Sequence, residues 1–407
     1  MNLQEKLSQS FKDLGSRLNG SESKSLRELR SRSFDYFKGQ GFPTNQDEEW
    51  KYTSLNKIVK RDFDFSSQVS SEILAEDIEP FLCEGLDSYK LIFINGVFNK
   101  SLSILGSNEK FFVGSLKQGM KEMPDIINAH YGKLADTKQS LVALNTAMAN
   151  EGAFVYVKKG VKLDKLVQIL FVNTNHEESR MMQTRNLFVL EDFAEAQIFE
   201  RHQAFNQGHV FSNSVTESSV GNQAHFKHFK LQNDLDSSSM VDSTFVKQGA
   251  NSSALVDTFA FSGELVRNNL HFEFTGMHAE AHMDAITLLK GKSLVDHHTF
   301  VDHAVPHCHS NQLYKGIYDE KSKGVFNGKV MVRKDAQKTN AFQQNNNLLL
   351  SDFSSIDTKP QLEIFADDVA CSHGCTIGQL DEEALFYMQT RGIPLKEAKA
   401  FLMFAFA

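Results

Sequence analysis

The chain has 407 residues, of which 41% are hydrophobic and 23% charged, as in a folded globular protein and unlike a disordered one. Its length predicts two or three domains. With 43 basic and 51 acidic residues the net charge is −8, which argues against a nucleic-acid-binding surface.

The cellular compartment follows from the N-terminus and the cysteines. The first residues, MNLQEKLSQSFKDLG, contain acidic side chains and lack the apolar core of a signal or transit peptide. No run of about 18 apolar residues predicts a membrane span. Four cysteines, at positions 83, 308, 371 and 375, are too few for a disulfide framework in a chain of this length. We therefore expect free thiols and a cytoplasmic protein.

The N-terminal segment is predicted to form two helices. Apolar residues recur there at steps of three and four, at Leu3, Leu7, Phe11, Leu14 and Leu18 and then at Leu26, Leu29, Phe34 and Phe37. Asn19-Gly20 is expected to end the first helix, and Ser21 or Ser23 to cap the second. The only tryptophan, Trp50, is predicted to anchor this helical region on the rest of the fold.

From Tyr89 to Phe365 short β-prone runs follow one another, separated by Gly, Asn, Asp and Ser, and no helical stripe is evident. Such a series suits a sandwich, a barrel or a β-solenoid, and no strict repeat chooses among them. The series is much longer than one sandwich of about 100 residues. Polar runs such as Gln343 to Asn347 would suit the turns of a stacked coil, because their amides can form ladders. These features favour a β-helix.

The C-terminal segment is predicted to be a helical hairpin. Asp381 can cap a first helix that ends near Gly392, and Pro394 can begin a second. An apolar run continues to Ala407, which favours either cover by a partner or a longer helix. We expect an N-terminal helical region over residues 1–85, a β-helix core over 86–365 and a C-terminal helical region over 366–407.

Two histidine-rich stretches are candidate metal sites. In a strand, His278, Glu280, His282 and Asp284 would share one face and Ala279, Ala281 and Met283 the other, which predicts a solvated face outside and an apolar face inside. A row of divalent-metal ligands is the alternative. The second stretch contains His297, His298, His303, His307 and His309. If it is extended, His307 and His309 share a face while Cys308 points into the core.

The most distinctive motif is CSHGC, residues 371–375, which we expect in a loop between the β region and the hairpin. Zinc ribbons use two pairs of cysteines, and a closed iron–sulfur site needs four ligands. Cys371 and His373 supply two ligands and Cys375 could supply a third. The motif therefore predicts half of a metal site, completed by another protein.

The run DTKPQLEIFADDVACSHGCTIGQLDEEALFYMQTRGIP resembles the SufB/SufD family of iron–sulfur cluster assembly proteins. The resemblance extends upstream through AQKTNAFQQNNNLLLS, GVFNGKVMV, HCHSNQLYKGI, GAFVYVKKGV with LNTA, and GFPTNQDEEWKYT. Gly374, where SufB typically has glutamate, indicates the SufD branch of the family. Cys375 departs from many members, which have alanine there.

The resemblance implies a right-handed parallel β-helix flanked by α-helical regions. It implies pairing with SufB, docking of the ATPase SufC on the C-terminal helices, and a transient iron–sulfur cluster near Cys371 and His373 at the interface with SufB. No cofactor would be tightly bound by the isolated chain, which we expect to form a homodimer through a β-helix edge. We expect the SufC-docking surface to include apolar residues of the hairpin, namely Leu385, Phe386, Met388, Phe401, Phe404 and Phe406.

Two classes of function remain open from the sequence. The first is a non-enzymatic scaffold, which is supported by the absence of a Walker A loop: Gly291-Lys292-Ser293 lacks the preceding glycine and has Ile286 in its place. The second is a metal-dependent β-helix or cupin-like enzyme that uses His307, His309 and their neighbours. A passive paralogue that only stabilises SufB would differ from the first in having no chemical role for Cys371 and His373.

Overall fold

The computed structural model describes residues 3–18, 22–65, 73–174, 179–205 and 208–407. In the described residues two long helices come first, four short helices precede the regular part of the β region, and a helical hairpin follows it. The helices are α1 (Leu3–Leu18), α2 (Lys24–Gln40), α3 (Ala75–Ile78), α4 (Leu116–Glu122), α5 (Pro124–His130), α6 (Ser140–Met148), α7 (Glu382–Thr390) and α8 (Leu395–Phe406), with 3-10 turns at Glu48–Trp50 and Glu79–Phe81.

The strands form two sheets. Sheet A contains β1 (Phe63–Asp64), β4 (Gly106–Ser107), β5 (Phe111–Ser115), β6 (Ala153–Val157), β8 (Ser179–Leu190), β10 (Val210–Val220), β12 (Ser238–Gln248), β14 (Leu265–Phe274), β16 (Leu294–His303), β18 (Lys323–Val332) and β20 (Ser355–Ile364). Sheet B contains β2 (Ser88–Ile94), β3 (Val97–Phe98), β7 (Leu166–Asn173), β9 (Glu195–Ala204), β11 (His225–Asn233), β13 (Ser253–Ser262), β15 (Glu280–Leu289), β17 (His309–Tyr318), β19 (Asn340–Leu349) and β21 (Ala370–Gly378).

Successive strands alternate between the two sheets, so the chain coils as a β-solenoid of about 8 turns over residues 154–378. From β6 onward in sheet A, and from β7 onward in sheet B, neighbouring strands pair in parallel. The predicted mainly β fold, with a parallel β-helix core and helices at both ends, is confirmed. Among the described residues, no helix is long and apolar enough to cross a membrane.

The interior of the solenoid follows from strand alternation. On β15, Ala281 and Met283 are buried, whereas Glu280 is exposed and His282 and Asp284 are half-buried on the outer face. The predicted division into an apolar inside and a polar outside is therefore confirmed for this strand. His278 is the exception, because it lies in the turn before β15 with φ 60°.

A structural repeat is present that the sequence analysis did not find. At six successive corners, each leading into a strand of sheet B, a small buried residue follows the corner, at Ala194, Ala224, Ser252, Ala279, Cys308 and Thr339. The residue just before each of them has positive φ, namely Phe193, Gln223, Asn251, His278, His307 and Lys338. Cys308 occupies one of these small positions, which confirms it as a core residue.

The predicted unbroken series of strands between Tyr89 and Phe365 is wrong at α4, α5 and α6. These helices have 7, 7 and 9 residues, too few for a convincing stripe. Residues 141–147 of α6 are all buried, including Asn145 and Thr146, so this helix is covered on every side and has no amphipathic period.

The N-terminal region packs on the outer face of sheet A. Ser23 caps α2 by accepting a hydrogen bond from the Leu26 amide, while Asn19-Gly20 and Ser21 lie outside the described residues. The guanidinium of Arg267 on β14 lies 3.9 Å from the ring centroid of Trp50. Thr53 donates a hydrogen bond of 2.5 Å to Asp296 of β16. Trp50 is therefore an anchor of this region, as predicted.

Close stacking of the solenoid's corners requires a residue without a Cβ atom at position 276. A Cβ atom on Gly276 would lie 2.0 Å from the backbone nitrogen of Ala250, in the preceding turn of the solenoid. We expect Gly276→Ala to lower the free energy of unfolding by about 1–3 kcal/mol, because backbone must move to make room. Urea unfolding followed by circular dichroism measures this. The control is Gly39→Ala, where no atom lies within 4 Å, and equal stability of the two variants would contradict the prediction.

Candidate functional site

The last turn of the solenoid is open at one end. β20 is the end strand of sheet A and β21 the end strand of sheet B, and each pairs with one neighbour in its sheet, β18 and β19 respectively. Nearly all residues of β21 are exposed, and those of β20 are at best half-buried. An end strand leaves a row of backbone N–H and C=O groups without ladder partners.

Cys371, His373 and Cys375 lie on one face of β21. Alternation places them on the side that faces the interior, in register with Ala341, Gln343 and Asn345 of β19. Those three residues of β19 are buried, with exposed fractions of 0%, 1% and 3%. On β21 the same face lies at the open end, so the three sulfur and nitrogen donors form a row at the mouth of the solenoid.

The three donors differ in their surroundings. Cys371 is half-buried and packs beside Leu362 and Val369 against an apolar cluster that includes Ala341. Burial raises the pKa of the Cys371 thiol. His373 and Cys375 are exposed. The Sγ atom of Cys375 lies 3.2 Å from Oγ1 of Thr358, across the mouth on β20.

The expectation that CSHGC lies in a loop is wrong, because all five residues belong to strand β21. The motif contains glycine and no β-branched residue, so local propensity does not favour a strand. Continuous pairing from Ala370 to Gly378 with β19 overrides that propensity. The final strand also runs past residue 365, where we expected the β-helix core to end. The three predicted regions themselves stay a prediction.

The row is compatible with a site completed from outside. Adjacent donors on one face of a strand are about 7 Å apart at Cα, and Cys371 and Cys375 about 13 Å. His373 can therefore share a metal centre with either thiol more easily than the two thiols can share one. Among the described residues, no three His, Cys, Asp or Glu side chains are grouped so that they could hold a metal ion.

The residues of the second histidine stretch point in different directions. His297 is inside the solenoid, 3.0 Å from Oγ1 of Thr287, and burial lowers its pKa to about 4. His303 is also inside, and burial lowers its pKa to about 3. His298 lies on the outer face of sheet A, 3.2 Å from a carboxylate oxygen of Glu49. These three histidines cannot ligate one metal ion.

His307 and His309 are exposed on the other side of the solenoid. His307 lies in a turn rather than in an extended run, and its ring stacks on that of His278 at 4.8 Å. His309 begins β17, and Cys308 between them is fully buried, as predicted. In the described part of the chain no third ligand joins this pair.

The interior contains charged residues that the sequence analysis missed. The carboxylate of Glu200 accepts hydrogen bonds from the Nε2 atoms of His202 and His228, at 3.1 and 2.9 Å. Lys230 forms an ion pair with Asp242 of the opposite sheet. The sequence does indicate that these residues face the interior. Glu200 and His202 continue the every-second-residue series that begins with the buried Ala196 and Ile198. All five of these charged or titratable residues are at most 5% exposed.

The amides of β19 also face the interior. The expectation that QQNNN forms turns is wrong, because the run lies within a strand. Gln343, Asn345 and Asn347 point inward and form amide contacts, such as Asn347 Nδ2 to Asn345 Oδ1 at 2.8 Å. Gln344 and Asn346 point outward. These side-chain amides therefore lie inside the solenoid and not at the corners between its strands.

The predicted docking residues of the hairpin are not equally accessible. Phe386, Phe401 and Phe404 are 69%, 55% and 84% exposed, whereas Leu385 is 9% exposed. Met388 is half-buried, and the half-buried Phe406 packs near Lys315, whose Nζ donates to its carbonyl at 2.7 Å. Asp381 caps α7 as expected. The exposed apolar part of the hairpin thus consists mainly of phenylalanine rings, with Tyr387 beside them.

Fold and site together define a β-solenoid protein that presents sulfur and nitrogen donors at its open end. Residues 171–406 match the SUF system FeS cluster assembly, SufBD core domain, and residues 1–169 match the SufBD protein N-terminal region. The chain therefore belongs to the SufB/SufD family of SUF-system iron–sulfur cluster assembly proteins, and the resemblance drawn from its motifs is confirmed.

Individual relatives agree with this assignment. A SufBD family protein of Synechocystis is 32% identical over 399 residues, covering 96% of this chain and 88% of its own. The iron–sulfur cluster assembly protein SufD of Escherichia coli is 30% identical over 373 residues, covering 90% and 84%. The chloroplastic protein ABCI7 of Arabidopsis thaliana is 29% identical over 397 residues, covering 95% and 82%.

Proposed function

We propose that this chain is the scaffold subunit of a SUF assembly complex that pairs with SufB, docks the ATPase SufC and helps to hold a nascent iron–sulfur cluster at the interface with SufB. The observation that carries the proposal is the position of Cys371 and His373, at alternate positions on one face of the end strand β21, whose other edge is open. A partner that seats on this end is placed directly beside both donors.

The open end suits a partner that is itself a β-solenoid. Strands added beside β20 and β21 would extend both sheets and satisfy the backbone groups of both edges. Half-buried apolar side chains on the inner face of β20, such as Ile356 and Leu362, would gain cover in the same step. SufB, a member of the same family, is the partner that this surface fits.

Because this chain supplies only two ligands, we expect the cluster to be a product that the complex releases and not a cofactor that stays bound to this chain. Clusters are held by four protein ligands, mostly thiolates. Cys371 and His373 supply half of that number, so the remainder must come from the partner, and separation of the two proteins would release the cluster. The isolated chain is accordingly expected to contain no tightly bound cluster.

Co-purification tests the proposal. Tagged chain expressed with SufB and SufC should retain both proteins, and the anaerobically purified complex should contain iron and acid-labile sulfide, whereas the chain alone should contain neither. Failure to retain SufB, or a complex without iron and sulfide after reconstitution with ferrous iron and sulfide, would contradict the proposal.

Without SufB, the open end is expected to pair with a second copy of the chain. Light scattering should then give twice the chain mass of 45.9 kDa at high concentration. Ile377→Lys should shift the equilibrium to monomer, because Ile377 is 49% exposed on the end strand and a charge would be buried in the contact. Leu288→Lys, at a 39% exposed position on β15, is the control. A strict monomer over a wide concentration range would refute the dimer.

The hairpin is expected to bind SufC. Exposed aromatic rings on two short helices are a typical protein contact, and charge at such positions is costly to bury. We expect Phe386→Asp and Phe404→Asp to abolish SufC retention in a pull-down while circular dichroism stays unchanged. Phe193→Asp, at a 47% exposed ring on an early turn of the solenoid, is the matched control. Undiminished SufC binding in both hairpin variants would place the docking surface elsewhere.

A further inference from the structure

Gln343 has a buried oxygen without a hydrogen-bond partner. The residue is 1% exposed, and its Oε1 atom has neither a donor nor solvent around it. Leaving a buried acceptor unpaired costs about 1–3 kcal/mol, so such an atom in a folded protein calls for a physical account.

The other polar atom of the Gln343 side chain, Nε2, already has a hydrogen-bond partner. It donates to Oε1 of Gln312 at 3.3 Å, on the preceding strand of the same sheet. The same nitrogen packs against Gly328 on the opposite sheet, since a Cβ atom there would lie 2.3 Å from it. Gln312 also has an unpartnered Nε2 atom, but it presents its oxygen to Gln343, so the following strand, β21, is the other source of a donor for Oε1.

His373 is the residue of β21 in register with Gln343, and both side chains lie on the inner face. Neighbouring strands are about 4.8 Å apart, so a glutamine oxygen can reach an imidazole in the adjacent position. The exposed ring of His373 can turn toward it by rotation about its own side-chain bonds.

We propose that Gln343 is a positioning residue for His373, accepting the N–H of one ring nitrogen so that the other nitrogen is unprotonated and faces the mouth of the solenoid. A neutral imidazole carries one N–H, and the hydrogen bond made by that N–H decides which nitrogen is free to bind a metal. Gln343 thereby selects the tautomer of His373 that can ligate iron. This inference deepens the proposed function and rests on it for the role of the free nitrogen.

The tautomer itself can be measured without iron or partners. In full-length chain labelled with ¹⁵N-histidine at pH 8, the two ring nitrogens of His373 should show the shifts of one predominant tautomer, assigned by loss of the signal in His373→Gln. Gln343→Met keeps the length of the side chain but removes the acceptor, and should give a tautomer mixture. Gln343→Glu restores an acceptor and should restore the single tautomer.

Gln344→Met is the control, because Gln344 lies next along the strand but points outward and is exposed. It should leave the His373 signals unchanged. A tautomer ratio that is the same in the unsubstituted chain and in Gln343→Met would overturn the proposal.

The complex with SufB provides a second measurement. There Gln343→Met should lower iron and sulfide content about tenfold, which is typical for removal of a hydrogen bond to a metal ligand, and Gln343→Glu should not. Unchanged iron in Gln343→Met would overturn the role toward iron even if the tautomer shifts. Iron content that is also independent of His373 would instead be a failure of the proposed function.

Discussion

Under the proposed function, replacing Cys371 by serine or His373 by alanine is expected to lower the iron and sulfide content of the complex with SufB at least about tenfold, since loss of a proposed direct ligand costs no less than loss of its hydrogen-bond partner. A thiolate and a neutral imidazole are competent iron ligands, whereas a serine hydroxyl is a poor one and alanine offers none. The subunits should stay associated, because the edges of β20 and β21 present many backbone groups besides these two side chains.

The measurement is iron and acid-labile sulfide per complex after anaerobic purification, with size-exclusion chromatography to verify assembly. Ser372→Ala is the matched control, since Ser372 lies between the two donors on the opposite face of β21. Cys375→Ser is expected to have a smaller effect. Full cluster content in both the Cys371 and the His373 variants would leave only the passive role of stabilising SufB.

Replacing Glu217 by glutamine is expected to lower the free energy of unfolding by about 3–5 kcal/mol, because it leaves the charge of Arg185 buried without a counter-ion. Both side chains of this ion pair are 0% exposed, and Nη2 of Arg185 lies 2.5 Å from Oε2 of Glu217. Glutamine keeps one oxygen acceptor and places an NH2 group against donors that the other carboxylate oxygen accepts, so the loss reports the unpaired charge together with those hydrogen bonds.

The Glu217 carboxylate also joins the helical region to the solenoid. It accepts backbone N–H groups of Gly132, Leu134 and Ala135 at 2.7, 2.8 and 3.1 Å, all in the segment between α5 and α6. Burial alone would raise the pKa of Glu217, but Arg185 and these amides outweigh it and hold the pKa below its ordinary value. Its contribution to stability is therefore present at neutral pH and is lost as the pH falls below the ordinary carboxyl range.

Urea unfolding at neutral pH, followed by circular dichroism, measures the effect. The control is Glu195→Gln, which breaks the exposed ion pair with Lys162 at 2.8 Å and should cost about 0–1 kcal/mol. A loss for Glu217→Gln no larger than for this control would show that the buried pair does not stabilise the fold. The excess loss should also shrink at acidic pH, where the carboxylate of the unsubstituted protein is protonated.

Much of the architecture could be predicted from local sequence patterns. The apolar stripes of α1 and α2, the caps at Ser23 and Asp381, and the alternation on β15 are determined by residues within one helical turn or two strand positions of each other. A long series of short strands then favours a solenoid, whose turns need only neighbouring segments to stack. The family motifs are also short runs of consecutive residues, so they identify the family without knowledge of the fold.

The candidate site was only half predictable. Cys371 and His373 stand out because sulfur and imidazole donors lie so close in sequence, and the motif alone predicts a shared metal site. Its strand conformation, its inward face and its place at the open end depend on pairing with β19. Gln343 carries no signal as a neighbour of His373, because the two residues come into register only when two turns of the solenoid are stacked.

The sequence by itself therefore determined the fold class, the helical ends, the core position of Cys308 and the identity of the donor motif, because periodicity, capping and residue chemistry act over a few residues. Only the tertiary structure decided that CSHGC is an end strand, that Arg185 pairs with Glu217, and that Glu200 and His228 meet inside the bore. These contacts join residues one turn of the solenoid apart. Their register depends on how whole turns stack, which no local pattern specifies.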